Sequence, residues 1–314
     1  MQKIAVAKGP ELFKYTFPAP HPFGRMRLEA FYENIEKEKP NLPNMVFVEP
    51  AIADLETILL YHTKDYVEFV MEKCKAGRGY LDYGDTPAFP GCFEASSYVV
   101  GTTMKLLKKI LDGEFASAFS PVAGLHHARR DRAGGFCIFN DAGVAIEFLL
   151  QKEGLRRVAY VDIDAHHGDG VCYDFYRDKR VIFADIHQDG RTLYPGTGFR
   201  NEDGEGEAKG TKLNIPMLPF SGDEEFFKAF KEVEEFLMKF DFDFLLLQCG
   251  ADGLMGDPLT NLQYSPEAHH YAAASLRKIA EVKCDGKILA MGGGGYNPTN
   301  VALAWTVVVK SLAE

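Results

Sequence analysis

The stretch 158–170, VAYVDIDAHHGDG, decides the fold prediction for this chain of 314 residues. Its first four residues are apolar or aromatic, and carboxylates, histidines and glycines follow at once. A short apolar run with a polar end is typical of a buried parallel strand. Ligands of open α/β sheets bind beyond the carboxyl ends of the strands, so the stretch also predicts where a functional site lies.

Working outward from this stretch, apolar runs and helical periodicity alternate along the chain. Serine and asparagine stand before prolines at Ser265-Pro266 and Asn297-Pro298, a pattern of helix starts. We therefore expect an α/β fold with a central parallel sheet, helices on both faces and the active site at the strand carboxyl ends. The predicted strands are Val158 to Ile163, Val181 to Ile186, Phe244 to Leu247 and Ile288 to Met291. The predicted helices are Leu55 to Lys73, Phe93 to Leu111, Ala142 to Leu150, Glu224 to Phe240 and Ala268 to Val282.

The composition predicts one large domain, residues 1–314. Hydrophobic residues make up 46% of the chain, and no low-complexity linker interrupts it. A formal charge of −10 argues against nucleic acid as a direct partner, because phosphate binding needs a clustered basic face. Six cysteines without a C-x-x-C pair, and the lack of a run of 18 apolar residues, predict a cytoplasmic protein that does not enter a membrane. The sequence gives no indication of the oligomeric state.

Ionisable residues at two predicted strand ends indicate a metal site. Asp162, Asp164 and His166 alternate along the extended chain, so we expect them on one side of the crevice. Burying so many ionisable groups is costly unless they are paired or bind a metal. Asp252 follows the next strand and supplies a further carboxylate. Asp164, His166 and Asp252 would leave one coordination position open, as in catalytic zinc sites, and iron(II), cobalt or manganese would also fit.

Two further motifs supply candidate catalytic groups. His126 and His127 form a pair in a glycine-flanked loop after the apolar stretch Ala116 to Val122, and a neutral imidazole beside a metal accepts a proton from water. Asp162 and Asp169 are the carboxylates available to orient the two imidazoles. Tyr296 follows four consecutive glycines, where its hydroxyl could donate to an oxyanion.

Taken together, these motifs resemble the histone deacetylase family, within the arginase and deacetylase superfamily, and in particular its prokaryotic acetoin-utilization members. The resemblance extends over nearly the whole chain, in family order. The matching segments are His21-Pro22-Phe23, Tyr61-His62, Gly124 to Ala128, Gly135 to Asp141, Asp162 to Gly170, Tyr194 to Gly198, Gln248 to Asp257 and Gly292 to Tyr296.

The resemblance implies an arginase/deacetylase fold and a zinc-dependent hydrolase that cleaves the amide of acetyl-lysine, or of a related acylated amine. It implies zinc at Asp164, His166 and Asp252, with His127 as the general base and His126 as its electrostatic partner. Asp162 would pair with His126, and Asp169 with His127. Tyr296 would polarise the acyl carbonyl.

The resemblance also implies the residues around the substrate. The walls of an acyl-lysine tunnel would be Phe136 and Tyr194, with Gly135 accepting from the amide and Leu259 near the rim. Asp85 would grip the substrate backbone, and Arg27 would serve product exit. A structural potassium ion would lie near Asp162, Asp164, His166 and Asp185.

Three alternatives remain open from the sequence. An acetylpolyamine amidohydrolase shares the chemistry, but its specialised members tend to carry an acidic residue where this chain has Leu259. A binuclear manganese ureohydrolase needs more carboxylates than the segment Gly250 to Gly253 offers. A metal-binding module without catalysis, which recognises acyl-lysine, would have lost His127 or Tyr296, and both are present.

Overall fold

Eight parallel strands form one sheet in the computed structural model, which describes residues 3–314. They are β1 (Ile4–Ala7), β2 (Met45–Val48), β3 (Ser117–Ser120), β4 (Val158–Asp162), β5 (Val181–Gln188), β6 (Lys212–Met217), β7 (Phe244–Gln248) and β8 (Ile288–Met291). Their order across the sheet is β2-β1-β3-β8-β7-β4-β5-β6. Strands β7 and β8, which come late in the chain, therefore lie between β3 and β4.

The register of the central strands aligns their polar ends. Asp162, the last residue of β4, is the partner of Gln248 on β7, and Gln248 is in turn the partner of Met291 on β8. All residues of β4, β7 and β8 are buried, as expected for parallel strands that are covered on both faces. The loops after these strands consequently meet at one edge of the sheet.

The helices cover the sheet in two groups. Among the described residues they are α1 (Met26–Glu38), α2 (Leu55–Ile58), α3 (Lys64–Ala76), α4 (Cys92–Leu111), α5 (Asp141–Gln151), α6 (Asp169–Asp174), α7 (Asp223–Met238), α8 (Pro266–Cys284) and α9 (Pro298–Ala313). Helices α2 to α6 pack among themselves, and α1, α7, α8 and α9 form the second group. Within residues 3–314, no helix has both the length and the apolar character needed to cross a bilayer.

The expected α/β fold is confirmed, and so are the four predicted strands. The main difference among the strands is β5, which continues two residues beyond the predicted end to Gln188. Both predicted helix starts are also confirmed, because the side chains of Ser265 and Asn297 accept hydrogen bonds from backbone N–H groups of the first turns of α8 and α9.

The prediction of one helix over Leu55 to Lys73 is wrong, because the chain breaks between α2 and α3. The Thr63 side chain accepts from the backbone N–H of Tyr66 and caps a new helix. The Thr63 N–H donates to the carbonyl of Arg130, and the buried His62 ring accepts from the N–H of Asn140. These tertiary hydrogen bonds stabilise the interruption of the helix at His62 and Thr63.

Candidate active site

Asp164, His166 and Asp252 come together at the carboxyl ends of β4 and β7. Their donor atoms lie within 4.8 Å of one another, and all three residues are buried. His166 Nδ1 lies 3.2 Å from Asp164 Oδ1 and 2.9 Å from Asp252 Oδ2. Ligand atoms in a tetrahedral zinc site are separated by roughly 3.3 Å, given bonds of about 2.0 to 2.1 Å. The spacing and the mixed oxygen and nitrogen donors fit one divalent cation.

The electrostatics of the three residues agree with a cation site. Burial and the neighbouring Asp164 raise the pKa of Asp252 to about 7. Burial alone would lower the pKa of His166, but its hydrogen bonds to Asp164 and Asp252 raise it to about 10. The two carboxylates therefore favour positive charge at the centre of the site.

Strand alternation, from which we expected Asp162, Asp164 and His166 on one side of the crevice, does not extend beyond Asp162. Strand β4 ends at Asp162, and the following residues are not extended strand. The Asp162 carboxylate instead accepts from His126, 2.8 Å away, and from the hydroxyl of Tyr160. Asp162 therefore contacts the histidine pair, whereas Asp164 and Asp252 lie beside His166.

The histidine pair is held by two carboxylates, as the family resemblance implies. Asp162 bonds Nδ1 of His126, and Asp169, the first residue of α6, bonds Nδ1 of His127 at 2.7 Å. The two Nε2 atoms are 3.1 Å apart. With each Nδ1 donating to a carboxylate, this contact needs one proton between the rings. Burial and the neighbouring His126 lower the pKa of His127 to about 4, so His127 is neutral near pH 7.

A narrow cavity of about 220 Å³ leads from the surface to His127. Gly135, Phe136, Tyr194, Leu259 and Tyr296 line it, together with His127 and His166. The Tyr194 ring meets the His127 ring edge to face, with centroids 5.1 Å apart. The structure thus brings the sequence-predicted tunnel residues to one cavity above the metal-binding residues.

The tunnel wall depends on a distorted backbone at Gly135-Phe136. Gly135 has a φ of +52°, and a Cβ atom there would lie 2.3 Å from the His127 ring, so only glycine fits. Phe136 follows with a φ of +69°, a conformation that is costly for a bulky side chain. Its N–H donates to the Thr86 hydroxyl at 3.0 Å, and its carbonyl accepts from Tyr15 at 2.7 Å. These two bonds hold the phenylalanine ring in the wall.

Asp257 ties the two loops that carry Tyr296 and Leu259. Its carboxylate accepts from the N–H of Tyr296 at 2.7 Å and from the N–H of Leu259 at 2.9 Å. Burial raises the pKa of the Tyr296 phenol well above its ordinary value, and Asp252 and Asp164 raise it further. Tyr296 is therefore a neutral hydroxyl donor.

Asp85 lies at the tunnel mouth, where it lines both the tunnel and a wider outer cavity of about 380 Å³. Its backbone carbonyl is 3.0 Å from His21 Nε2. Asp82 builds the preceding turn, since its Oδ1 accepts from three successive N–H groups, those of Gly84, Asp85 and Thr86. Burial and the hydrogen bond with Asp82 raise the pKa of Asp85 to about 7.

Arg27 is buried rather than exposed, with 4% of its surface accessible. It donates to the carbonyls of Gly293 and Gly295, in the loop that leads to Tyr296. The guanidinium carbon also lies 3.9 Å from the centre of the Phe23 ring. Arg27 thus supports the glycine loop that leads to Tyr296, and its part in product exit stays a prediction.

Asp185 is fully buried on β5, and its carboxylate has protein partners. Oδ1 is 2.6 Å from His187 Nδ1, and Oδ2 accepts from the N–H of Gly168 at 2.8 Å. Asp185 therefore contributes hydrogen bonds that fix the turn after β4. A potassium ion near this turn stays a prediction.

Two residues that the sequence reasoning left without a role connect the parts of the site. Gln248 Nε2 donates to Asp164 Oδ2 at 2.8 Å, and its Oε1 accepts from the N–H of Gly250 at 2.7 Å. Asp141 accepts from the N–H groups of Gly124 and Leu125, just before the histidine pair, and from the Thr103 hydroxyl. Both lie within family motifs, but only the fold reveals these contacts.

Comparison with known proteins supports the likeness seen in the motifs. A sequence model of the histone deacetylase domain matches residues 21–312. The chain belongs to the histone deacetylase family.

Individual relatives agree with this assignment. The acetoin utilization protein AcuC of Bacillus subtilis (strain 168) is 37% identical over 316 residues, which cover 97% of this chain and 79% of AcuC. AcuC of Staphylococcus aureus (strain MRSA252) is 33% identical over 323 residues, covering 100% of this chain and 82% of the relative. The solved HD domain of HDA15 superposes with a TM-score of 0.89 at 26% identity, over 99% of this chain and 88% of that one. The family, the arginase/deacetylase fold and a deacetylase type of hydrolase are thereby supported together.

Proposed function

We propose that this protein is a zinc-dependent deacetylase that hydrolyses the amide of acetyl-lysine, or of a related acylated amine, to acetate and a free amine. The observation that carries the proposal is the position of the neutral His127 beside the cluster of Asp164, His166 and Asp252, at the inner end of the tunnel. A divalent cation held by these three residues lowers the pKa of water and polarises a carbonyl.

In the proposed reaction, His127 accepts a proton from the attacking water through Nε2. Asp169 orients the ring through Nδ1, and Asp162 does the same for His126. After water has added to the acyl carbon, the protonated histidine pair donates a proton to the departing nitrogen. The amine therefore leaves as a neutral group rather than as a strongly basic anion.

Tyr296 and the tunnel walls hold the substrate. The neutral Tyr296 hydroxyl donates to the acyl oxygen, on which negative charge grows during the attack. Phe136 and Tyr194 enclose the apolar stem of the lysine, and Asp85 accepts from backbone N–H groups of the substrate at the mouth. Gly135 accepts from the scissile amide.

We extend the proposal to three further properties of the chain. Residues 1–314 act as one catalytic unit, because the site draws on α1, β4, β7 and the loop after β8. The six cysteines are all free, which supports a cytoplasmic location. A potassium ion close to Asp162, Asp164, His166 and Asp185 would reinforce the turn after β4.

The test is release of acetate from an acetyl-lysine peptide by the purified protein. We expect activity to disappear on chelation, to return with zinc, and to fall at least about 100-fold in Tyr296→Phe and in His127→Ala. Binding of a labelled peptide to both variants serves as the control for a folded tunnel. Metal-loaded protein that binds the peptide without releasing acetate would contradict the proposal and favour a binding module.

Acetylpolyamines are the second candidate substrate class. They share the acyl amide and the slender apolar stem, so the tunnel alone does not distinguish them from acetyl-lysine. Leu259 lines the rim with 37% of its surface exposed, and the position offers no charge to a polyamine ammonium. Acetylspermidine belongs in the same assay as a parallel substrate.

A further inference from the structure

A second groove opens beside the tunnel mouth and has no part in the proposed chemistry. Its volume is about 590 Å³, more than twice the 220 Å³ of the tunnel. The lining combines apolar or aromatic side chains with carboxylates: Leu81, Phe69, Tyr83, Asp65, Asp82 and Asp131. We call this cavity the side groove; Thr63, Tyr66, Arg132 and Ala133 complete its lining.

The side groove is continuous with the mouth of the tunnel. Asp82, Tyr83, Arg132 and Ala133 line both the side groove and the outer cavity, and that cavity reaches His127 and Tyr194. An extended peptide advances about 3.3 to 3.6 Å per residue. A substrate with its acyl-lysine in the tunnel therefore brings a residue that is close to the lysine in sequence to the side groove.

Charge and aromatic surface determine what the side groove accepts. Asp65 and Asp131 are exposed, and Asp82 is half-buried with a pKa held at about 2 despite its burial, chiefly by hydrogen bonds with Asp85 and Thr86. Arg132 offsets one carboxylate through its contact with Asp131 at 3.0 Å. The remaining negative charge favours a cation.

The aromatic residues favour the same occupant. The Tyr83 side chain is completely exposed at the junction of groove and mouth. Lys73 Nζ lies 5.4 Å from the centre of the Phe69 ring, so the protein's own ammonium already uses this aromatic surface. Lysine and arginine have an apolar stem and a charged tip, which match an aromatic wall with carboxylates at its edge.

We propose that the side groove binds a lysine or arginine side chain of the substrate, close in sequence to the acylated lysine. This inference rests on the proposed function and narrows its substrate to a basic peptide segment. The path from tunnel to groove passes Arg129 and Arg132, which line the outer cavity. Their guanidinium groups offer N–H donors to the carbonyls of a peptide backbone.

The test compares acetyl-lysine peptides that differ only by arginine or glutamine at each flanking position. The double variant Asp65→Asn/Asp131→Asn removes two charges of the groove. Its matched control, Asp112→Asn/Asp241→Asn, removes two exposed charges at the opposite edge of the sheet, before β3 and β7. None of the four residues belongs to the proposed catalytic set.

We expect the wild type to prefer arginine at one or more positions by roughly tenfold in kcat/KM at low salt, given the strength of exposed charge and cation–π contacts. The groove variant should lose the preference while its rate on a single acetyl-lysine amide is unchanged. The control variant should keep the preference. An equal preference in all three proteins, or none in the wild type, would overturn the proposal.

A binding measurement separates this proposal from the deacetylase proposal. Fluorescence anisotropy of a labelled arginine-containing peptide should show weaker binding to the groove variant alone. Binding with that pattern but without acetate release would retain the groove and reject the enzyme. Hydrolysis of the acetyl-lysine amide without any flanking preference would reject the groove and retain the enzyme. If the groove variant lost activity on acetylspermidine alone, the groove would serve polyamines, against the peptide proposal.

Discussion

Replacing Gly294 with alanine tests how closely the glycine loop fits the metal-binding carboxylates. The added Cβ would lie 2.4 Å from Asp252 Oδ2 and 2.9 Å from Asp164 Oδ2. Gly294 does not have a positive φ, so alanine adopts the same backbone and the effect comes from contact alone. To reach an ordinary contact of 3.4 Å, the Asp252 oxygen must retreat by about 1 Å, whereas metal–ligand distances tolerate about 0.2 Å.

We therefore expect Gly294→Ala to weaken zinc binding by about 100-fold, or roughly 2.7 kcal/mol, comparable with the larger effects of groups around a metal site. Competition with a chromogenic chelator measures the zinc dissociation constant. Gly24→Ala is the matched control, because its Cβ would meet no atom closer than 3.9 Å. A Gly294→Ala protein that binds zinc within threefold of the wild type would refute the carboxylate geometry on which the proposed function depends.

Three other predictions concern the supports of the site. Asp141→Ala should lower the free energy of unfolding in urea by about 3 to 5 kcal/mol, because it leaves two buried N–H groups and the Thr103 hydroxyl without an acceptor. Thr86→Val should raise the KM for an acetyl-lysine peptide several-fold with a smaller change in kcat, because Phe136 and Asp82 lose their shared hydroxyl; an unchanged KM would contradict this. Burial lowers the pKa of His62 to about 3, so between pH 6.5 and 3 the unfolded chain binds a proton that the folded chain excludes. As the pH falls through that window, the free energy of unfolding should decrease by up to about 1.4 kcal/mol per pH unit. Urea unfolding at a series of pH values measures this decrease, which should be smaller in His62→Gln.

The sequence predicted the parts of the fold and site that lie in short, continuous segments. The strand from Val158 is apolar and directly precedes the metal-binding residues Asp164 and His166, so one local pattern indicated both. Asp252 was identified in the same way, from the strand before it. The tunnel residues came from the family resemblance, and the structure places them around one cavity.

The remaining features depend on contacts between distant segments. The break after α2 exists because His62 accepts from Asn140, a contact that helical periodicity does not encode. Strand β6 includes Lys212 and Pro216, which do not belong to an apolar run, and the lysine is buried only because its ammonium reaches carbonyls of Asp178 and Val181. Gln248 likewise gains its role from strand register, which sets it beside Asp164.

The contact between Arg27 and the loop before Tyr296 joins segments that are made early and late in synthesis. By the time β6 has been made, a chain leaving the ribosome has Arg27, the histidine pair and Asp164, but neither Asp252 nor Tyr296. Strands β7 and β8, which lie between β3 and β4 in the finished sheet, have not yet been made. A nascent chain therefore offers an incomplete set of metal donors and no complete tunnel. The proposed site is therefore complete only after β7, β8 and the loop before Tyr296 have been made.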